Sequence, residues 1–167
     1  MANNPFTSPS SATPSAGPAP RLDHAALARE NPAILSDANW LWWIAALSLI
    51  NTVLTHTGSE TSFAVGLGFT LIADAIFREL PVVALAIDLV SIGTITALGW
   101  FARRGQLWAF ITGAVLYALD TLIFIPLQAW IAVAFHVVAT AFLVRGAIIL
   151  RRAIRHARTL PPAVAPA

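Results

Sequence analysis

Cysteine and lysine are both absent from the 167 residues, and methionine and tyrosine occur once each. Without cysteine there is no disulfide framework and no thiolate chemistry, and the redox compartment leaves no trace in the sequence. Without lysine, the Gly66-Leu67-Gly68 pair of glycines is far from a phosphate-binding loop, which also needs a strand and more glycines. No G-x-S-x-G elbow and no H-E-x-x-H helix occurs, so the common hydrolase signatures are missing and the residues lean away from an enzyme. Charge is scarce as well. Only 11% of residues are charged, against about 25% in a soluble domain.

What fills the space is apolar. Hydrophobic residues make up 57% of the chain and its mean hydropathy is +0.74. The organising stretch is a hairpin from Gln106 to Leu150. Its first arm runs to Ile125 with Asp120 as the only charge; Pro126, Leu127 and Gln128 form a short turn; Ala129 to Leu150 forms the second arm. At about 1.5 Å per residue each arm reaches roughly 30 Å, the thickness of the hydrocarbon layer. Lipid cannot satisfy a bare backbone, so both arms must be helices, antiparallel across the tight turn.

The rest of the chain reads outward from that hairpin. Residues 1–36 read as a disordered Pro/Ser/Ala-rich tail, with a short helical turn from Asp23 to Glu30 ended by Asn31-Pro32. The tail does not read as a signal peptide, because no positive start precedes an apolar core. A first span is expected from about Asn39 to Thr57, capped by Ser36 or Asp37 and opened by Trp40, Trp42 and Trp43 as interfacial aromatics. Ser59 to Phe77 has an apolar run of only fifteen residues and reads as short and non-spanning. Its small or polar stripe (Ser59, Ser62, Gly66, Thr70, Asp74, Arg78) suits packing on other helices. Asp74 and Arg78 read as an i,i+4 salt bridge at a helix end. Leu80 to Phe101 is a clear span with Pro81 in its first turn, Asp88 inside, and Gly93 and Ala97 spaced for close packing. The expected organisation is a bundle over 37–158 between two tails, 1–36 and 159–167. The fold class is all-α: a polytopic membrane bundle with four spanning helices and one short membrane-associated or spanning helix.

All ten basic residues are arginines, six of them at or after Arg104, which marks a charged membrane flank and no nucleic-acid footprint. With four spans and both ends in the cytoplasm, nine arginines lie inside and only Arg78 outside. If the short segment also spans, the better split is seven to three. The positive-inside rule therefore favours four spans with both termini cytoplasmic.

Under that topology Asp88, Asp120 and His136 fall at roughly 12, 8 and 10 Å from the outer end of their helices, and Tyr117 is one turn from Asp120. An ionisable group at mid-membrane costs roughly 2.5–3.5 kcal/mol on insertion scales, so these groups should find one another. Asn51 and His56 join the layer if the short segment does not span. Three readings of Asp88, Tyr117, Asp120 and His136 follow. The plainest is that Asp120, His136 and Tyr117 form a satisfied polar clasp that fixes helix packing. The second is a proton or substrate pathway. The third is a metal site from Asp88, Asp120, His136 and His56, whose donor types are acceptable but whose spacing forms no ligand pair. No cofactor is implied. The partners expected are the lipid bilayer and either a second copy of the chain or another membrane protein.

The stretches TGSETSFAVGLGFTLIADAI, WAFITGAVLYALDTLIF and WIAVAFHVVATAFLVRG resemble an uncharacterised group of small bacterial multi-pass membrane proteins. The resemblance covers residues 39–150. It implies a bacterial inner-membrane protein and carries no assigned activity. From the residues alone the expected function is a non-catalytic bundle that binds or scaffolds a partner. The alternative is a small transporter or proton-conducting unit.

Overall fold

The computed structural model describes residues 22–57 and 66–159, and these are helical: α1 His24–Glu30, α2 Pro32–His56, α3 Gly68–Ile76, α4 Pro81–Arg103, α5 Leu107–Phe124 and α6 Trp130–Thr159. Four of them, α2, α4, α5 and α6, are long and apolar enough to cross a membrane. The fold is the expected all-α membrane bundle. α2 packs on α4 and α6, and α5 on α6 and α4, so the four long helices close into a ring. α3 lies across α4 and α5, while α1 covers α2, α4 and α6.

The amino-terminal boundary differs from the sequence reading. Residues 22–36 are not tail: they form α1 and the first turns of α2, with Ala28 and Ile34 fully buried. Asp23 caps α1 by accepting the N–H groups of Ala25 and Ala26. Asn31 caps α2 by accepting Ala33 N–H, and Pro32 fills the first helical position, where a missing N–H does no harm. Ser36 and Asp37 are therefore not caps but sit inside α2. The prolines that suggested disorder lie almost wholly before residue 22, and residues 1–21, 58–65 and 160–167 lie outside the described part.

Both turns between the long helices of the second half end in the same way. After α4, Gln106 N–H reaches Phe101 O and Gly105 N–H reaches Ala102 O, with Gly105 at φ +71°. After α5, Ala129 N–H reaches Phe124 O and Gln128 N–H reaches Ile125 O, with Gln128 at φ +54°. This paired pattern is the Schellman closure, whose left-handed residue is usually glycine. Gly105 satisfies that preference, and a Cβ there would also collide with the His24 carbonyl of α1.

Close helix approach comes from glycines other than Gly93. A Cβ on Gly93 would meet nothing within 4 Å among the described residues, so the Gly93–Ala97 pair makes no packing seam inside this chain. A Cβ on Gly146 would lie 2.5 Å from the Phe110 ring and 2.8 Å from Asp37 Cβ, and one on Gly113 would lie 2.9 Å from Leu41. These positions let α6 and α5 approach α2 within the ring.

The expected short helix is present as α3, whose nine residues rise about 13 Å, less than half a hydrocarbon layer. Ser59 and Ser62 of its stripe lie outside the described residues, whereas Thr70 is buried. Arg78 lies past the end of α3, and no ion pair joins it to Asp74. Asp74 turns instead towards His56 and Asp88.

Candidate functional site

α3 begins at Gly68 with Leu67 before it, so it has no Ser, Thr, Asp or Asn to cap its first N–H groups. Other helices supply the acceptors. Asp120 of α5 receives Gly68 N–H on Oδ2 (2.7 Å) and Phe69 N–H on Oδ1 (2.8 Å). Ser48 of α2 receives Leu67 N–H at 3.1 Å while its own hydroxyl donates to Ile44 O. A carboxylate at a helix N-terminus meets both the unpaired donors and the positive end of the helix dipole. The Gly66-Leu67-Gly68 stretch permits this approach: a Cβ on Gly68 would lie 2.6 Å from the Phe124 ring, and one on Gly66 would lie 3.2 Å from Ser48 Cα.

His136 of α6 completes the arrangement. Its Nδ1 lies 2.8 Å from Ala132 O, one turn back, and since a carbonyl only accepts, Nδ1 carries a hydrogen. Its Nε2 lies 3.0 Å from Asp120 Oδ2, so one proton is held between these two atoms. Tyr117 stacks on the imidazole with ring centroids 4.1 Å apart, and Phe124 approaches it at 4.8 Å. His136 and Tyr117 are fully buried and the Asp120 side chain is 5% exposed. Of the four expected members, then, Tyr117, Asp120 and His136 meet.

Asp88 stands apart and belongs to a second cluster. Thr52 Oγ1 of α2 donates to its Oδ2 at 2.9 Å, and its Oδ1, fully buried, has no hydrogen-bond partner among the described residues. His56, Asp74 and Asp88 each bring one donor atom within 4.8 Å of the others. The four-residue metal set expected from Asp88, Asp120, His136 and His56 is therefore split: His56 and Asp88 fall in one group, Asp120 and His136 in the other. The cause is α3, which spends Asp120 on its own N-terminus and inserts Asp74 beside Asp88. Burial raises the Asp74 carboxyl above its ordinary range, and His56 nearby partly opposes this. A cavity of about 620 Å³ lies beside the cluster, lined by His56, Asp74, Arg78 and Pro81 among others.

Two further features frame the site. An apolar groove of about 340 Å³ runs between α4 and α5, with Val90, Thr94, Leu116 and Leu119 on its walls and Asp120 at its edge. Deeper towards the other end, Arg145 of α6 grips the buried Asp37 of α2 bidentately, Nε to Oδ2 at 3.0 Å and Nη2 to Oδ1 at 2.6 Å. Reading Asp37 as a cap hid this pair, and extending α2 back to Pro32 would have shown an acid in need of a partner. The Gly68 and Phe69 donors also escaped the sequence reading, which began this segment at Ser59 rather than Gly68. Compared with family models, curated proteins and solved structures, the chain matches none of them.

Proposed function

We propose that this is a multi-pass membrane protein with no catalytic activity of its own, a bundle that holds a partner in the membrane. The observation that supports this is the closure of the Asp120–His136 pair. Both carboxylate oxygens and both ring nitrogens are taken by protein groups, beneath the Tyr117 and Phe124 rings. A proton path needs a hydrated neighbour on at least one side of such a pair; rings and backbone pack against this one, and the groove that reaches Asp120 is apolar. The groove between α4 and α5, with Val90 and Leu119 exposed, offers an apolar surface for a partner helix, either of a second copy or of another membrane protein. The resemblance of residues 39–150 to small bacterial membrane proteins supports a bacterial inner-membrane location. The gathering of arginines at one end supports a cytoplasmic position for both termini.

A conducting unit is the second reading, and the open oxygen of Asp88 favours it. Proteoliposomes under an imposed pH gradient separate the two. The partner-holding bundle passes no more protons than empty vesicles, and a photoreactive residue in place of Leu119 crosslinks in native membranes to one discrete species. Proton flux that disappears in His136→Gln or Asp88→Asn would replace this reading with transport.

A further inference from the structure

We infer that His56, Asp74 and Asp88 form a binding site for a single divalent transition-metal ion of the Zn²⁺ type, which ties the end of α2 and the first half of α4 to α3. The inference goes beyond the partner-holding role and does not depend on it.

Three observations carry it. The first is convergence: donor atoms from three helices lie within 4.8 Å of one another. In a tetrahedral site with metal–ligand distances near 2.1 Å the ligand atoms are about 3.4 Å apart, so closing the set takes a movement of about 1.4 Å or less between donor atoms. The second is the oxygen of Asp88 that has no partner. Asp88 is fully buried, Thr52 holds one of its oxygens, and the other is unbonded. An unpaired buried carboxylate oxygen is costly, and a cation in the cluster satisfies it. No arginine forms an ion pair with Asp74 or Asp88 among the described residues. The third is the state of His56. Its Nδ1 lies 3.0 Å from Thr52 O, which only accepts, so Nδ1 carries a hydrogen and Nε2 is the nitrogen left for a ligand. A ligating histidine oriented through its other nitrogen by a backbone carbonyl is the usual arrangement in metal sites.

One imidazole and two carboxylates suit a borderline ion, since nitrogen selects against Mg²⁺ and Ca²⁺ and the lack of sulfur selects against soft ions. Three protein ligands leave a coordination position for water or a further group. Access is available through the cavity beside His56 and Asp74. The consequence is mechanical: α3 is held at its N-terminus by Asp120 and along its body by the metal at Asp74.

The test uses the full chain, purified in detergent with a histidine-free tag, stripped with chelator and then exposed to ZnCl₂. Bound zinc is measured by elemental analysis and stability by thermal unfolding followed through tryptophan fluorescence. One zinc per chain is expected, with a midpoint that rises with zinc concentration. His56→Ala should weaken binding roughly a hundredfold and remove the midpoint shift. Asp74→Asn should do the same, whereas His24→Ala with His156→Ala should change neither. His56 is exposed, so its variant folds even if Asp88→Asn does not. Zinc that does not bind, or that binds equally well to His56→Ala and Asp74→Asn, would overturn the inference.

Discussion

Asp120 is a carboxylate surrounded by donors: Gly68 N–H, Phe69 N–H and the His136 ring nitrogen converge on its two oxygens. Asparagine at 120 would keep the shape but set an NH₂ against one of the two backbone N–H groups, and it would take the carboxyl group away from His136. Each of Asp120→Asn and His136→Gln should therefore cost about 3 kcal/mol, the scale for breaking one side of a buried pair. The double variant should cost about 1–3 kcal/mol less than the sum, because the second change removes a group already stranded by the first. Reversible unfolding in detergent mixtures with increasing SDS measures all three, and strict additivity would show that the two residues do not act together. The meeting of Asp120, His136 and Tyr117 was legible in the sequence, since the three-residue turn forbids the two arms to drift apart. The backbone donors of α3 were not legible, because nothing in a chain of letters states which helix end a distant carboxylate will meet.

Among the elements, the two Schellman turns form a natural comparison. Gly105 and Gln128 occupy the same left-handed position with the same pair of hydrogen bonds, yet only one of them is glycine. The left-handed region costs a residue with a Cβ roughly 1–2 kcal/mol. Gln128→Gly should therefore raise stability, by about 1 kcal/mol once the added freedom of the unfolded chain is allowed for. The same SDS titration would detect it, and a neutral or destabilising result would mean that the glutamine side chain makes good the backbone cost. α3 shows the opposite dependence on context. It has neither the length to span nor a cap of its own, and its start is held by Ser48 and Asp120.

Across the whole molecule, charge and aromatic residues segregate by end. Arg103 donates to Asn39 Oδ1 and Gly105 lies under the His24 carbonyl, which joins α2 and the start of α1 to the end of α4, where Arg104 sits 3.5 Å over the Trp100 ring. Trp42 packs at Gly99, and Trp108 meets Phe101, so this end also carries an aromatic belt, while Trp130 opens α6 beyond the hairpin turn. α6 has 30 residues, about 45 Å, and outlasts a 30 Å layer by enough to carry Arg151, Arg152, Arg155 and Arg158 clear of the hydrocarbon. By the positive-inside rule we propose that this is the cytoplasmic side. The native chain has no cysteine, so single cysteines introduced at positions 3 and 165 report without background. In intact cells neither should react with an impermeant maleimide added outside, and both should react after the cells are opened. Labelling of either position in intact cells would reverse the orientation or change the number of spans.

Hydrophobic run length, proline and arginine position and the short turn were enough by themselves to determine an all-α membrane bundle with four long helices. Each of these acts locally or against the bilayer, so each can be read one segment at a time. Partner choice among polar groups is decided instead by how helices rotate about their axes and where their ends fall, and only the tertiary structure decides that. Asp37 looked like a cap and is a buried partner of Arg145; Asp74 looked like a partner of Arg78 and faces His56 and Asp88. Asp88 looked like a member of the Asp120 layer and was separated from it by α3. In every case the neighbour that the residue met was set by a helix from elsewhere in the chain, whose approach depends on glycines such as Gly68 and Gly146 that permit contact only in three dimensions.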